Sequence, residues 1–307
     1  MSTPSFGPQA RIGIAGLGSM GAGIAHNLLK KGYPLRVFAR RSDAAAPFIA
    51  AGAQAFPSAA AMARECDLVI LSLSDAAAVE AVLFGDEGLA HGLRESCVVI
   101  DTSTIAAAAA RRFGERLQGQ GVIFIDAPVS GGQAGAQTGT LGCMVGGPAE
   151  AIDACREVLG AFCKSVTRVG DLGAGQTVKA CNQVAVAGAL LGVADAMALA
   201  RAQGVDPALM REVLLGGTGR SFSLENHGPR IIEGKFKPGF RAALMRKDLR
   251  IALDTARAAG AVLPAATLAE QLLDALCEGG RADWDWSAMA LEVQKLSGMA
   301  VPADKEP

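Results

Sequence analysis

Short hydrophobic runs alternate with Ala-rich segments along the first half of the chain. The runs are rich in Ile, Val and Leu, which favours strands over residues 12–15, 35–38, 68–73, 98–100, 122–125, 141–145 and 165–169. Strands that alternate with helices predict βαβ units, in which helices cover both faces of a mostly parallel sheet. We therefore expect an α/β fold for this part of the chain.

The strand pattern stops near Gly175, and helical spacing follows it. Helices are predicted over residues 177–203, 207–215, 241–259, 265–278 and 287–296, with Pro207 and Pro264 near first helical positions. A length of 307 residues suits two domains. We place an α/β domain at residues 1–172 and an all-helical domain at residues 173–307.

Residues 178–200 are nearly all apolar and long enough to cross a membrane. Polar residues interrupt this segment and no basic cluster flanks it, which argues against a membrane span. Its small residues favour a helix buried between domains or subunits. A monomer would expose a large apolar patch there, so we expect a homodimer or homotetramer.

Composition removes several classes of partner. Charges nearly cancel, with 29 basic and 30 acidic residues, so nucleic acid is not expected to bind. The seven scattered cysteines form no C-x-x-C pair, which is typical of reduced thiols and favours a cytoplasmic protein. Three distant histidines argue against a metal site, and the first ten residues do not resemble a signal peptide.

A glycine-rich run, Gly16-Leu17-Gly18-Ser19-Met20-Gly21, follows the first predicted strand and begins the first helix. In this pattern the first glycine permits a tight turn and the second lets a pyrophosphate approach the backbone. The third lets helix and strand pack closely. The N–H groups at the helix start then face the phosphates. The strand-turn-helix context favours dinucleotide binding over a plain glycine-rich turn.

The end of the second predicted strand bears on the choice of nicotinamide dinucleotide. At NAD sites an Asp or Glu about 20 residues beyond the glycine turn binds the ribose hydroxyls. This chain has the run Ala39-Arg40-Arg41-Ser42 instead. Guanidinium groups suit the 2′-phosphate of NADP, so we expect NADP to be preferred, with NAD as the alternative. Arg40 is the candidate contact with this phosphate. The alternative is that both arginines are solvated surface residues without a role in binding.

A lysine lies close to the start of the longest predicted helix. The run Gly173-Ala174-Gly175-Gln176-Thr177-Val178-Lys179 places it in the first turn or so. A helix N-terminus disfavours a cation and lowers the pKa of a lysine, and burial lowers it further. Asn182 and Gln183 follow on the same helical face. This polar trio on an apolar helix favours a proton donor and two amides facing one substrate over a solvated surface charge.

Two other strand ends carry polar residues. The run Asp126-Ala127-Pro128-Val129-Ser130-Gly131-Gly132 presents a hydroxyl and exposed N–H groups, donors that suit a carboxylate. The run Asp101-Thr102-Ser103-Thr104 places hydroxyls where open α/β sheets bind ligands. Either run alone would be read as an ordinary loop.

With these motifs in order, the chain resembles the β-hydroxyacid dehydrogenase family. This family includes 3-hydroxyisobutyrate dehydrogenase, tartronate semialdehyde reductase, and the glyoxylate and succinic semialdehyde reductases. The resemblance spans about residues 11–297 and rests on residues 16–21, 126–132 and 173–183, and on Phe236-Lys237-Pro238-Gly239-Phe240 with Lys247-Asp248. It implies a Rossmann-type domain that binds the cofactor, followed by an all-α domain for substrate binding and dimerisation.

The resemblance also implies roles for single residues. Lys179 is implied to be the catalytic acid or base, with Asn182 positioning substrate and Gln183 as the alternative amide. Asp248 is implied to partner Lys179. The implied contacts of the substrate carboxylate are Ser130, Gly131 and Gly132. The implied cofactor contacts are Gly16, Leu17, Gly18, Ser19, Met20, Gly21, Leu73, Thr104 and Lys247.

The implied reaction is hydride transfer between nicotinamide and a short aldehyde acid or 3-hydroxy acid. Residues 236–248 look closest to the tartronate semialdehyde reductase branch, so a tartronate- or succinic-semialdehyde-type reductase is expected. A 3-hydroxyisobutyrate or threonate dehydrogenase is the first alternative. An imine reductase is the second, although Lys179 argues against it. A nicotinamide-binding protein without activity is the third.

Overall fold

The computed structural model describes residues 6–299. The chain divides into two compact units, Met1–Lys179 and Ala180–Pro307. Strands occur only in the first unit among the described residues, and the second is helical. An α/β part followed by a helical part is therefore confirmed.

A nine-stranded sheet forms the centre of the first unit, in the order β3-β2-β1-β4-β5-β6-β8-β7 with β9 paired to β8. The strands from β3 to β6 are parallel, whereas β8 runs antiparallel to β6 and β7. Their order is that of a Rossmann sheet, as expected. The strands are β1 Ile12–Ala15, β2 Leu35–Phe38, β3 Gln54–Ala55, β4 Leu68–Leu71, β5 Val98–Asp101, β6 Ile123–Asp126, β7 Val129–Ser130, β8 Leu141–Gly146 and β9 Cys163–Gly170.

Helices cover both faces of this sheet. Alternate residues of β4 show this, since Leu68 and Ile70 enter one hydrophobic cluster while Val69 and Leu71 enter another. A parallel strand buried on both faces is hydrophobic throughout, which explains the unbroken apolar run in the sequence. The helices are α1 Ser19–Lys30, α2 Ala46–Ala50, α3 Ala59–Arg64, α4 Ala76–Phe84, α5 Ala107–Gln118, α6 Gly132–Thr138 and α7 Ala149–Leu159.

The second unit packs its helices around one core that includes Leu190, Met197, Met245, Leu249 and Leu273. Helix α8 begins in the first unit and continues into the second. The helices are α8 Ala174–Ala202, α9 Pro207–Leu215, α10 Phe222–Asn226, α11 Gly228–Glu233, α12 Ala242–Ala258, α13 Pro264–Leu276 and α14 Met289–Leu296.

Helix α8 is long and apolar enough to cross a membrane by length and composition alone. Half of its most apolar window is buried inside the protein. Leu190, Val193 and Met197 belong to the core of the second unit. These contacts are those of a core helix, which supports the sequence-based argument against a membrane span.

The sequence pattern locates the seven predicted strands and the five helices predicted after Gly175 to within one helical turn. It does not predict β3 and β7, which have two residues each, or the short helices α10 and α11. Helix α8 also begins at Ala174, one turn earlier than expected. This last difference changes the position of Lys179 in the helix.

Candidate active site

Two glycines of the run at residues 16–21 are required by close packing. Gly16 has a φ of 100°, and a Cβ atom there would overlap the carbonyl oxygen of Ser72. A Cβ atom on Gly21 would overlap the carbonyl oxygen of Gly16. The turn between β1 and α1 therefore tolerates no side chain at either position.

The middle glycine has a different environment. Gly18 is exposed, is the N-cap of α1, and has no atom within 4 Å of the position that a Cβ would occupy. No side chain among residues 6–299 caps this helix start. An open position above uncapped N–H groups fits the pyrophosphate of a dinucleotide. Residues 16–21 therefore form a cradle suited to the cofactor.

Arg40 lies two residues beyond the end of β2. The amide of Gly16 donates a 3.3 Å hydrogen bond to the carbonyl oxygen of Phe38, which joins the glycine turn to this strand end. Arg40 is exposed and forms no ion pair within residues 6–299, whereas Arg41 lies 3.9 Å from Asp43. Arg40 is therefore an exposed residue two positions beyond the strand end that is bonded to the glycine turn.

The ends of the next two strands adjoin the glycine turn. The Leu73 side chain lies 2.8 Å from the position of a Cβ on Gly16, so it packs against the turn. The Leu73 amide donates a 2.9 Å hydrogen bond to Oγ of Ser103, which joins the two strand ends. Thr104 follows and is half-buried. Leu73 thus lies beside the cradle, as a residue lining the cofactor would.

The predicted carboxylate-binding turn links β7 to α6. Gly131 and Gly132 have φ angles of 131° and 63°, a region that strongly favours glycine. Ser130 is half-buried. Helix α6 packs on α1, where Nδ2 of Asn27 donates a 2.7 Å hydrogen bond to the carbonyl oxygen of Ala136. The turn is therefore anchored against the helix that follows the glycine cradle.

The structure brings Lys179 to this same turn. Its side chain is buried, and Nζ donates a 2.9 Å hydrogen bond to the carbonyl oxygen of Val129, which precedes Ser130. Both segments belong to the first unit. The candidate proton donor and the candidate carboxylate contacts are thus neighbours.

The expected position of Lys179 in its helix requires correction. Because α8 begins at Ala174, Lys179 lies in the second turn and not in the first. Asp126 also accepts hydrogen bonds from the backbone amides of Gly173 and Gln176, at 2.7 and 2.8 Å. The influence of a helix terminus fades beyond its first turn and is offset by a carboxylate there. The helix terminus is therefore not the feature that sets the chemistry of Lys179, and the expectation based on it is withdrawn.

In the second unit, side chains of α8 and α12 form a hydrogen-bonded chain. Nδ2 of Asn182 donates to Oε1 of Gln183 at 2.8 Å, and Nε2 of Gln183 donates to Oδ2 of Asp248 at 2.7 Å. Nζ of Lys247 lies 3.1 Å from Oδ1 of Asp248. Gln183 and Asp248 are buried, while Asn182 is half-buried. Gln183 therefore supports the Asn182 amide and is itself held by Asp248.

Sequence reasoning gave no role to two buried residues near the site. Gln176 donates to the carbonyl oxygen of Ser103 at 2.8 Å and accepts from the amide of Ile105 at 3.1 Å. Asp126 accepts hydrogen bonds from two backbone amides at the start of α8. Both residues stand within the quoted motifs, so the signal was present. Their partners are 47 to 73 residues distant and could not be read from local pattern.

Comparison with known protein families covers nearly the whole described chain. Residues 11–170 match the family model described as the NAD binding domain of 6-phosphogluconate dehydrogenase. Residues 173–293 match the model described as NAD-binding of NADP-dependent 3-hydroxyisobutyrate dehydrogenase. The two matches meet near the start of α8 and cover the glycine cradle, the residue 130–132 turn and Lys179.

Individual relatives align over almost their full length. The chain is 38% identical to the NAD-dependent L-serine dehydrogenase of Pseudomonas aeruginosa, over 93% of this chain and 97% of that one. It is 35% identical to the 2-hydroxy-3-oxopropionate reductase of Escherichia coli, over 94% and 98%. The solved 3-hydroxyisobutyrate dehydrogenase of Mycobacterium tuberculosis, with L-serine, superposes with a TM-score of 0.86 at 32% identity, covering 93% and 99%. With the fold and motifs described above, these matches show that the chain belongs to the β-hydroxyacid dehydrogenase family of nicotinamide-dependent oxidoreductases.

Proposed function

We propose that the protein is an NADP-preferring reductase of a short aldehyde acid, of the tartronate or succinic semialdehyde type. The observation that carries the proposal is the hydrogen bond from Lys179 to the Val129 carbonyl, beside the turn at residues 130–132. In this proposal Lys179 is the proton donor, and the neighbouring turn binds the substrate carboxylate. The relative named 2-hydroxy-3-oxopropionate reductase supports this substrate class.

The first unit holds the dinucleotide in this proposal. Residues 16–21 bind the pyrophosphate, and Leu73 and Thr104 line the cofactor from the neighbouring strand ends. Lys247 is the proposed cofactor contact from the second unit. A bound nicotinamide supplies the hydride that reduces the aldehyde carbon, and accepts one in the reverse reaction.

Lys179 moves the proton that balances the reaction. In reduction, Nζ donates a proton to the aldehyde oxygen as the hydride reaches the carbon, which leaves an alcohol. In oxidation, the neutral amine accepts the hydroxyl proton. A positioned acid or base typically contributes about 10²- to 10⁴-fold to the rate.

The remaining residues hold the substrate. Ser130 Oγ and the amides of Gly131 and Gly132 bind the carboxylate. Asn182 contacts the reacting end of the substrate, since it is half-buried and its amide is supported from behind. Gln183 is buried and bonded to Asp248, which suits a supporting role.

Arg40 is the proposed determinant of cofactor choice. It follows the strand end that is bonded to the glycine turn, and no carboxylate occupies its position. The exposed guanidinium is available to a 2′-phosphate. NAD is the alternative cofactor, and one relative is named as NAD-dependent.

We further propose a homodimer or homotetramer in the cytoplasm. Leu199 of α8 and Leu209 and Val213 of α9 are 65%, 57% and 66% exposed, and apolar side chains exposed to this extent suit burial against a second copy of the chain. All seven cysteines are free thiols, which supports a reducing compartment.

A kinetic screen tests the proposal. Tartronate and succinic semialdehydes, 3-hydroxyisobutyrate, threonate, L-serine and cyclic imines are assayed with both nicotinamides. The greatest kcat/KM is expected for an aldehyde acid with NADPH. Oxidation of a hydroxy acid alone would favour the second candidate, a hydroxyacid dehydrogenase, which the L-serine dehydrogenase relative supports. Turnover of imines alone, or cofactor binding without turnover, would refute both candidates.

A further inference from the structure

Asp126 is a fully buried carboxylate at the end of β6, and the proposed reaction does not use it. Its two oxygens accept from the amides of Gly173 and Gln176, at the start of the helix that carries Lys179. These amides have no partner within α8 itself, because the first N–H groups of any helix lack one. Asp126 therefore caps α8 from a distant strand.

Two glycines pack closely against the Asp126 carboxylate. A Cβ on Gly175 would lie 2.8 Å from Oδ2 of Asp126, and a Cβ on Gly146 would overlap Oδ1. Burial raises the pKa of the Asp126 carboxyl above its usual value, while the hydrogen bonds from Gly173 and Gln176 oppose that rise. The carboxylate is therefore held tightly on both sides.

The same helix turn is tied to a second strand end. The Gln176 side chain bonds both the carbonyl oxygen of Ser103 and the amide of Ile105, just beyond β5. Ser103 in turn accepts from the Leu73 amide beside the glycine cradle. The start of α8 is thus fixed relative to the strand ends that carry the cofactor site.

Two hydrogen bonds join the end of β6 and the segment that follows it to α8. One joins Asp126 to the amide of Gln176 at 2.8 Å. The other joins the carbonyl oxygen of Val129 to Nζ of Lys179 at 2.9 Å. Each partner in the second pair stands three residues beyond its counterpart in the first. Loss of the first bond would remove one of the contacts that hold the helix turn on which the second bond depends.

We propose that Asp126 is a positioning residue for Lys179. Its carboxylate fixes the start of α8 so that the lysine amine stays at the Val129 carbonyl. Its negative charge favours the ammonium form, and the guanidinium of Arg111, which packs against Gly173, is the second cation that acts on this carboxyl group. This role rests on the proposed function, because it takes Lys179 as the group that moves the proton.

Asp126→Asn tests the role in the full-length protein, since Asn keeps the shape but offers one acceptor oxygen and no charge. With NADP⁺ and the preferred hydroxy acid, we expect kcat to fall about 10- to 100-fold, as for a small misplacement of a catalytic group. The Kd of NADPH should be unchanged. In oxidation, kcat/KM rises with pH as the amine loses its proton. Loss of the Asp126 charge destabilises the ammonium, so this rise should move to lower pH by roughly one unit.

Asp67→Asn is the matched control for a merely structural effect. Asp67 bonds Arg11 and Arg94 in the first unit, and none of its described bonds reaches α8. The Asp67→Asn substitution should lower the melting temperature without shifting the pH profile. An Asp126→Asn protein that loses stability but keeps the wild-type pH profile would overturn the proposal, as would one with unchanged kcat.

A second variant covers the case in which Asp126→Asn fails to fold. Gln176→Leu keeps the Asp126 cap and its charge but removes the bonds to Ser103 and Ile105. If the start of α8 positions Lys179, Gln176→Leu should lower kcat and leave the pH profile unchanged. An unchanged kcat in this variant would refute the positioning role. Lys179→Ala separates the two hypotheses. If that variant stays active, the proposed function fails, whereas an inactive Lys179→Ala beside an unaffected Asp126→Asn refutes the positioning role alone.

Discussion

Nζ of Lys179 donates a hydrogen bond of 2.9 Å to the backbone carbonyl oxygen of Val129. A carbonyl only accepts, so this bond orients the amine toward the turn that follows β7. An ammonium group has three protons, so it can donate to more than one acceptor. Lys179 can therefore remain fixed while it donates a proton.

Lys179→Ala is expected to remove turnover and leave cofactor binding intact. Proton transfer by a positioned group accounts for about 10²- to 10⁴-fold in rate, so kcat should fall by that factor. The phosphate cradle at residues 16–21 is unchanged, so the Kd of NADPH, measured by fluorescence titration, should be as in wild type. Lys164→Ala, at an exposed position of β9, is the matched control. Near wild-type kcat in Lys179→Ala would exclude the lysine from the reaction.

Gly18→Ala is expected to separate cofactor binding from folding. The Cβ position at Gly18 is open, so the melting temperature should not change. A methyl group there would nevertheless obstruct the pyrophosphate. We expect the Kd of NADPH to rise at least about tenfold, equivalent to 1.4 kcal/mol. Gly21→Ala should instead lose stability, because its Cβ would overlap the Gly16 carbonyl. Gly192→Ala, also in open space, should leave the affinity unaltered. Unchanged affinity in Gly18→Ala would contradict the cradle.

Arg40→Asp is expected to reverse the preference for NADPH over NADH. A hydrogen bond to a charged group contributes about 1.5–3 kcal/mol, so the ratio of the two kcat/KM values should fall about 10- to 100-fold. The new carboxylate would also accept bonds from ribose hydroxyls. Arg112→Asp on α5 makes the same charge change away from the second strand and should leave the ratio unaltered. If Arg40→Asp also leaves it unaltered, the arginine does not select the cofactor.

The sheet was predictable because its central strands have a strong hydrophobic signal. The runs at β1, β4 and β5 are buried throughout, so every position in them is apolar or tightly packed. Strand β3 is exposed and has two residues, and β7 has two residues directly after Pro128. Such short strands exist because a neighbour pairs with them, and their own sequence carries no period that would indicate them.

The start of α8 shows why the candidate site was only partly predictable. The run Gly173-Ala174-Gly175 contains no residue that caps a helix with its own side chain, so the sequence indicated a start near Thr177. The cap is Asp126, which lies 47 residues before Gly173. Local motifs therefore identified Lys179 and Ser130 as candidates. The distance between them, and the residue that fixes the helix, required the tertiary structure.

Assembly into a dimer or tetramer is expected to depend on Leu199. This side chain is 65% exposed on α8, and a charge there would disfavour burial against a second chain. Sedimentation of the wild-type protein should show particles larger than the 31.2 kDa chain, and Leu199→Lys should shift them toward that mass. Val262→Lys, at an 84% exposed loop position, is the control. Wild-type particles of 31.2 kDa alone would refute the proposed assembly.

Asp67 is expected to make the stability of the protein depend on pH in the acid range. Hydrogen bonds from Arg11 lower the pKa of its carboxyl to about 2. A lowered pKa in the folded state stabilises the protein above the unfolded value of about 4, and this contribution is lost as pH falls from about 4 to about 2. Because both side chains are about one-third exposed, solvent screening limits the contribution to about 1 kcal/mol. The difference in unfolding free energy between wild type and Asp67→Asn should therefore shrink across that range in denaturant titrations.

Asp153→Asn is the control, because it removes a more exposed pair with Arg156 and should show a smaller difference. A difference for Asp67→Asn that stayed constant from pH 7 to pH 2 would mean that its ion pair does not stabilise the fold.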